Sequence, residues 1–358
     1  MTLRKGFFAL GFIALLGGTG ESLATPVDNH VYGNAPTSNT APQSAVVAQV
    51  VAEGTKQTAG LISTRISSAV SNATGAISVS PVRTSSLSGE PTGKAAGDAA
   101  RRGGVWLNGS NNWLSGDHAN ANFSGTLQTA VTGADYLVRD DILLGASLGY
   151  EHGDVSLKYS GGKFEANNFA FAPYAAYIIN DVLSVDVSGG HAWVNYDISR
   201  ANGTVSGETS GSRWFAATNL NANWRVDAWQ LGASAGYIYT KEHTDDYTES
   251  DGTNAQGLKF RLGQASSKFR VGYLIPTDWG TVNPFGSVRL EYDANKTAAS
   301  AIDAAGSKAY DDRFGTTFSL GTNVLVGDNN TVTIEGSTTQ FRDDLKNYSL
   351  VGTYRFKF

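Results

Sequence analysis

Two stretches of the sequence match Gly-x-Ser-x-Gly, a pattern that carries the serine nucleophile of many hydrolases, at 145–149 and 232–236. That chemistry needs a strand, a sharp turn and then a helix, so that the serine is exposed at the turn. Ser147 and Ser234 instead fall in the middle of regular strand patterns. The two matches therefore indicate small residues on one face of a strand, and we predict no catalytic residue there.

A second possibility for chemistry is a histidine followed by a run of carboxylates. The five histidines of the sequence show no pair at metal-ligand spacing, and there is no cysteine, so we predict no metal site and no disulfide. An acidic loop at the rim of a barrel could still hold a cation or support hydrolysis, although polar acidic residues are common in exposed loops. The cluster consists of His243, Asp245, Asp246, Glu249 and Asp251.

Charged residues inside strand patterns are more informative, because the alternation shows which face they occupy. In the last strand, Tyr354, Phe356 and Phe358 alternate with polar residues. If the aromatic face meets lipid, a basic residue on it would cost about 2–4 kcal/mol at the membrane midplane. We therefore expect the opposite face to line a lumen, either as ion pairs that hold a plug or as a conduit that tunes permeation. The predicted lumen-facing charges are Arg289, Glu291, Glu335, Arg355 and Lys357.

These charges need a closed sheet to position them. From residue 104 onwards the sequence alternates apolar and polar residues with a period of two, which predicts β-strands. Short turns such as 139–140 and 226–227 alternate with longer polar loops such as 243–258, as in an outer-membrane barrel. An even number of strands closes such a sheet without free edges. The strand predictions are 104–114, 124–138, 141–151, 164–178, 182–197, 212–225, 228–242, 259–274, 282–294, 312–326, 330–341 and 346–358.

The region before the barrel divides into four parts. Residues 1–24 have a basic start, a short apolar stretch and a Ser-Leu-Ala end, which predicts a cleaved signal peptide. Residues 25–43 are polar and rich in turn formers, so we predict disorder. Residues 44–76 carry apolar residues at helical spacing, weakened by Gly54 and Gly60, and predict an amphipathic helix that could lie in the lumen. Residues 77–103 read as a linker, and 104–358 as the barrel.

The barrel region resembles the autotransporter β-domain, the translocator of type V secretion. The resemblance rests on the stretch from Gly104-Val105-Trp106 to Gly149-Tyr150, on the run APYAAY at 172–177 and on the aromatic C-terminus. It implies a twelve-stranded barrel with a helix in the pore that leads to an exported N-terminal passenger. Only about 80 residues lie between Thr25 and Gly104, without β-helix repeats, so the passenger region is unusually short.

We therefore predict an all-β transmembrane barrel of about 12 antiparallel strands that inserts in the bacterial outer membrane and translocates or displays a short N-terminal segment, without enzymatic activity. A porin-like channel with a helical plug is the main alternative, and an outer-rim hydrolase is a weaker one. The expected partners are the lipid bilayer and the barrel assembly machinery, which reads a C-terminal signal resembling Tyr354, Phe356 and Phe358. We expect a monomer without cofactors. The net charge of −5 argues against a nucleic-acid partner.

Overall fold

The computed structural model describes residues 40–73, 102–118, 121–296, 312–327, 329–343 and 345–358. The predicted signal peptide and most of the predicted disordered segment and linker lie outside these residues. The described chain forms one helix, α1 (Thr40–Ala73), followed by strands. The strands are β1 (Gly103–Gly116), β2 (Phe123–Arg139), β3 (Ile142–Leu157), β4 (Gly162–Ile178), β5 (Leu183–Arg200), β6 (Val205–Val226), β7 (Trp229–Thr244), β8 (Tyr247–Thr248), β9 (Asn254–Ala255), β10 (Lys259–Tyr273), β11 (Ile275–Thr277), β12 (Gly280–Lys296), β13 (Phe314–Val326), β14 (Asn330–Gln340) and β15 (Lys346–Lys357).

Twelve long strands pair antiparallel with their neighbours along the chain and close into a barrel. The closing pair is β1 with β15, in a register that sets Gly104 opposite Lys357 and Ser115 opposite Lys346. The short strands β8 and β9 pair only with each other, and β11 pairs with the start of β12. The prediction of a barrel of about 12 antiparallel strands is confirmed, and each predicted run corresponds to one long strand.

The two ends of the barrel differ in their connections. One end, called the turn end here, has tight turns such as 140–141 and 227–228, while the loop end carries the longer segments such as 245–258. Two of the expected long loops, 152–163 and 198–211, are mostly strand. Only residues 158–161 separate β3 from β4, and only residues 201–204 separate β5 from β6. Asn202 and Gly203 occupy the left-handed region there, with φ of 56° and 83°, as a tight hairpin turn requires.

Alternation gives the barrel wall two different faces. In β15 the even-numbered residues point outward, and Tyr354, Phe356 and Phe358 are 46%, 36% and 58% exposed. Similar outward-facing aromatic and aliphatic side chains are found on every long strand, whereas the inward face is polar or packed. An apolar exterior around a polar interior is the pattern of a barrel that sits in lipid. In the part of the chain that the structure describes, no helix is long and apolar enough to cross a membrane.

The helix lies inside the barrel and runs along its axis from the loop end to the turn end. Val46 and Val50 pack in a cluster with Phe123 and Leu157, which flank loop-end connections. Further along, residues such as Ile66 pack against wall residues nearer the turn end. The helix has 34 residues, which at about 1.5 Å each span about 51 Å. It therefore extends through the lumen, with Thr40 at the loop end.

The helix boundaries differ slightly from the prediction. The helix begins at Thr40, within the segment predicted to be disordered, and ends at Ala73 instead of 76. Pro42 is one of the turn formers that favour the prediction of disorder. Proline is nevertheless tolerated in the first turn of a helix, where its missing N–H has no intrahelical partner. The first strand begins at Gly103, one residue before the predicted start.

Candidate functional site

The candidate site is the lumen where the helix contacts the barrel wall. A glycine allows the outer half of the helix to approach β3: a Cβ at Gly54 would collide with the carboxylate of Glu151. This carboxylate accepts a hydrogen bond of 3.2 Å from Nη1 of Arg213 on β6. The Nε of Arg213 donates to Glu242 at 2.6 Å. One guanidinium thus joins two buried carboxylates of the wall next to the helix.

Charged residues of the helix also pair directly with the wall. Lys56 forms an ion pair with Glu53 one turn earlier, and its Nζ lies 3.7 Å from Oε2 of Glu291 on β12. The Nδ2 of Asn347 on β15 donates to Oε2 of Glu53 at 3.1 Å. All four side chains are buried. These contacts attach the helix to two strands that are not neighbours in the barrel.

A third attachment lies nearer the turn end. Nη2 of Arg65 lies 2.5 Å from Oδ1 of Asp135 on β2. The hydroxyl of Tyr174 donates to the other oxygen of this carboxylate at 3.0 Å and accepts a hydrogen bond of 2.9 Å from Nε1 of Trp106. Both oxygens of Asp135 therefore have partners, as burial of a charge requires.

The helix does not fill the lumen completely. Cavities of about 190 Å³ and about 130 Å³ lie between the helix and the wall, and both are lined by Ser234, Lys268 and Glu335. The smaller one extends to residues near the turn end, such as Gln230 and Thr331. The site therefore has a packed side, where apolar and ionic contacts hold the helix, and a polar side with open volume.

The five predicted lumen charges fall in different places. Arg289, Glu291 and Glu335 line the larger cavity, and Arg355 lines the smaller one. Glu291 contacts both the helix and Arg289, whose Nε lies 3.2 Å from its carboxylate. Lys357 is half-buried at the end of β15. Whether these charges mainly hold the helix or tune permeation stays a prediction.

Several residues of the site were not among the predicted ones. Arg213, Glu242 and Asp135 face inward from β6, β7 and β2, and Arg65 comes from the helix. Strand parity, which predicts the inward face of the later strands, also predicts that these three wall residues face inward. Nothing in the spacing of the sequence shows that Arg65 would meet Asp135, because these residues are 70 positions apart.

The histidine and carboxylate cluster of the outer loop has other partners. Glu249 and Asp251 both bind the guanidinium of Arg200, with shortest distances of 2.6 Å and 2.9 Å. A hydrogen bond from the backbone N–H of Thr253, together with the Arg200 charge, lowers the pKa of the Asp251 carboxyl. Asp246 accepts a hydrogen bond from the N–H of Gly257. These carboxylates therefore hold the loop in place.

The C-terminal residues close the barrel. The N–H of Phe358 donates to the carbonyl of Gly103, and the N–H of Gly103 donates to the carbonyl of Phe358, each at 3.1 Å. The ring of Phe358 lies where a side chain at position 103 would be. The last residue is therefore hydrogen-bonded to the first residue of the first strand, and the aromatic run lies on the outer surface.

A closed barrel with an apolar exterior and a helix through its lumen defines the class of outer-membrane β-barrels. The sequence matches the family model of the autotransporter beta-domain over residues 105–337. The chain therefore belongs to the autotransporter β-domain family, and it is a bacterial outer-membrane protein. The resemblance seen in the sequence is confirmed. No curated protein matches the sequence.

Solved structures of low sequence identity share the fold. The chain is similar to the translocator domain of the autotransporter NalP from Neisseria meningitidis, with 14% identity, a TM-score of 0.64, and coverage of 87% of this chain and 99% of that one. It is also similar to the beta domain of the Bordetella autotransporter BrkA, with 16% identity, a TM-score of 0.59, and coverage of 72% and 100%. The transport unit of AIDA-I from Escherichia coli has 12% identity, a TM-score of 0.55, and coverage of 81% and 97%.

Proposed function

We propose that this barrel displays the segment before Thr40 on the cell surface and retains the helix in its lumen as the anchor of that segment. The observation that supports the proposal is the direction of the helix. Val46 and Val50 pack among residues of the loop end, and the helix continues six residues beyond Val46, or about 9 Å, towards the outside. The chain that precedes Thr40 therefore joins the helix at the loop end.

The contacts of the helix support retention. Buried ion pairs and hydrogen bonds join Glu53, Lys56 and Arg65 to three different wall strands. Breaking a buried pair by removing one partner typically costs about 3–5 kcal/mol. The helix is thus held at several levels along its length, which suits an anchor better than a plug that leaves easily.

Cysteine labelling tests this display, because the natural chain contains no cysteine. Single variants Ser38→Cys, Thr204→Cys and Asp227→Cys place a thiol before the helix, in a loop-end turn and in a turn-end turn. With a membrane-impermeant maleimide, we expect intact cells to label Ser38→Cys as readily as Thr204→Cys. Asp227→Cys should react only after the outer membrane is permeabilised. If Ser38→Cys also requires permeabilisation, the segment is not displayed.

The channel alternative has one observation in its favour, the polar cavities beside the helix. Conductance in planar bilayers separates the two functions. We expect the full chain to conduct little, and a variant lacking residues 25–101 to conduct much more, because the helix occupies the lumen. Equal, large conductance of both proteins would favour a channel.

We further propose that the barrel acts without catalysis, and what supports this is the setting of the candidate groups. Ser147 is buried and donates to the carbonyl of Ala172 at 3.1 Å, while Glu249 and Asp251 are bound by Arg200. A hydrolytic activity of the purified protein that disappears in Asp246→Asn would contradict this.

We also propose a cleaved signal peptide, a C-terminal assembly signal and a monomeric barrel. Residues 1–24 act as a cleaved signal peptide, so the mature protein should begin at Thr25 by N-terminal sequencing. The aromatic C-terminus serves as the signal for the barrel assembly machinery. The barrel is a monomer, which sedimentation of the detergent-solubilised protein would test; a stable dimer would contradict it.

A further inference from the structure

We propose that the smaller lumen cavity, of about 130 Å³, binds a small oxyanion of the phosphate class through Arg270 and Arg355. This site is separate from the display of the N-terminal segment and does not depend on it. Basic residues predominate around this cavity, and several of their guanidinium nitrogens have no partner among the described residues. Neutral polar side chains complete the lining.

The charged residues around this cavity are predominantly basic. Arg65, Lys268, Arg270 and Arg355 line it, against the single carboxylate of Glu335. Arg65 is paired with a carboxylate on β2. Within the described ranges, Lys268, Arg270 and Arg355 form no ion pair. Because an uncompensated buried charge is costly, the cavity favours an anion.

The guanidinium of Arg270 is held in a fixed orientation, and two nitrogens along its edge have no partner among the described residues. Its Cζ lies 3.6 Å from the centroid of the Phe285 ring, a stacking contact that fixes the guanidinium plane. Its Nε and Nη2 are buried and have no hydrogen-bond partner among the described residues. Stacking fixes the plane and leaves these edge N–H groups without a described partner, and arginine binds phosphate or carboxylate oxygens through such edge N–H groups.

Arg355 is 7% exposed, and its Nε and Nη1 also have no partner in the described part of the chain. Beside Gly104, it lies close to the guanidinium of Arg65. The position that a Cβ of Gly104 would take is 3.2 Å from Nη2 of Arg65 and 3.5 Å from Nε of Arg355. Two like charges therefore approach each other with one carboxylate nearby, and an oxyanion would offset their repulsion.

Neutral polar side chains form much of the remaining wall. Asparagine and glutamine amides and threonine hydroxyls can donate to an oxyanion without adding a competing negative charge. Most of them lie close to strand ends at the turn end, which in an outer-membrane barrel faces the periplasm. The ligand would thus be a soluble anion that enters from that side. These lining residues are Asn221, Asn223, Gln230, Asn323, Thr331 and Thr333.

The test is a titration of the purified full chain in detergent with inorganic phosphate, at constant ionic strength set with sodium chloride. Binding is followed by calorimetry and by broadening of the phosphate ³¹P resonance. Because each variant removes a charged hydrogen-bond donor, we expect Arg270→Gln and Arg355→Gln each to weaken binding at least about tenfold. Lys259→Gln, which removes one positive charge from an exposed outer position, should bind phosphate as the natural protein does.

A variant with the opposite effect keeps the test decisive even if an arginine variant does not fold. Glu335→Gln removes the only carboxylate lining this cavity among the described residues, so phosphate should bind it several-fold more tightly. Absence of binding to the natural protein at millimolar phosphate would overturn the proposal. So would Glu335→Gln binding no more tightly than the natural protein, or arginine variants binding as well as Lys259→Gln.

Discussion

Arg65 of the helix and Asp135 of β2 form an ion pair of 2.5 Å whose side chains are only 2% and 1% exposed. The pair joins the helix in the lumen to the barrel wall. Because both side chains are almost fully buried, each charge depends on the other for its compensation.

Asp135→Asn should therefore release this part of the helix. We expect the free energy of unfolding in detergent to fall by about 3–5 kcal/mol, and trypsin to cut the folded protein after Arg65. The double variant Arg65→Met/Asp135→Asn should lose less than Asp135→Asn alone, because it leaves no unpaired charge. The single variant Arg65→Met completes the double-mutant cycle. A loss in the double variant equal to the sum of the two single losses would contradict a coupled pair.

The two glycines within the helix should respond in opposite ways to the same substitution. Gly54→Ala should weaken the seating of the helix, because its Cβ would collide with Glu151. Gly60→Ala meets its nearest atom, on Arg289, only at 4.0 Å, and should stabilise the protein by up to about 1 kcal/mol through helix propensity. Thermal unfolding of both variants measures this, and equal shifts would mean that the helix does not pack as described.

Arg213 should be essential to the outer half of the site. Arg213→Leu leaves Glu151 and Glu242 buried without their shared partner, so we expect a large loss of stability near neutral pH. Adding Glu151→Gln and Glu242→Gln to Arg213→Leu should restore part of it, because no uncompensated buried charge then remains. Arg225→Leu, at an exposed position at the turn end, is the control. A loss in Arg213→Leu that these additional substitutions do not reduce would be inconsistent with this network.

The anchor of the outer loop should depend on Arg200 and on pH. We expect the natural protein to resist protease shaving of intact cells within 245–258, and Arg200→Gln to be cut there. The pKa of Asp251 is lowered in the folded loop, so its contribution is present above the ordinary aspartate pKa of about 3.9. It is lost as the pH falls through the lower, folded value. Resistance of Arg200→Gln equal to that of the natural protein would argue against the anchor.

The C-terminal aromatic run should govern assembly. Phe358→Ser removes the ring packed at Gly103 and should lower the amount of heat-modifiable, folded barrel in outer-membrane fractions several-fold. Phe314→Ser removes an outward-facing ring, 45% exposed, from the loop end of β13, and should assemble much as the natural protein does. Equal loss in both variants would point to general lipid contact instead of a specific C-terminal signal.

Much of the fold could be predicted from the sequence because alternation in a barrel wall is a local property. The phase of β15 alone placed Tyr354 and Phe356 outside and Arg355 opposite them, and the structure has that arrangement. Hairpin ends were less predictable: the region around Asn202 looked like a long polar loop, although it continues as strand to a tight turn.

The site was harder to predict, because its contacts join distant parts of the chain. The helical period predicts that Arg65 lies on a helix, but the register between helix and wall depends on packing along the whole lumen. In the sequence Gly54 interrupts the helical pattern, whereas in the fold it makes room for Glu151. Likewise, the stacking of Arg270 on Phe285 follows from the pairing of β10 with β12, and no local pattern indicates it.

The seating and direction of the helix are tested most directly by cross-linking in intact cells. Glu53 lies beside Asn347, near the loop end of β15, whereas Arg355 lies near the turn end of the same strand. We predict that a short bis-maleimide joins the cysteines of Glu53→Cys/Asn347→Cys, and not those of Glu53→Cys/Arg355→Cys. A cross-link to position 355, or to neither position in folded barrels, would contradict a retained helix with its N-terminus towards the cell surface.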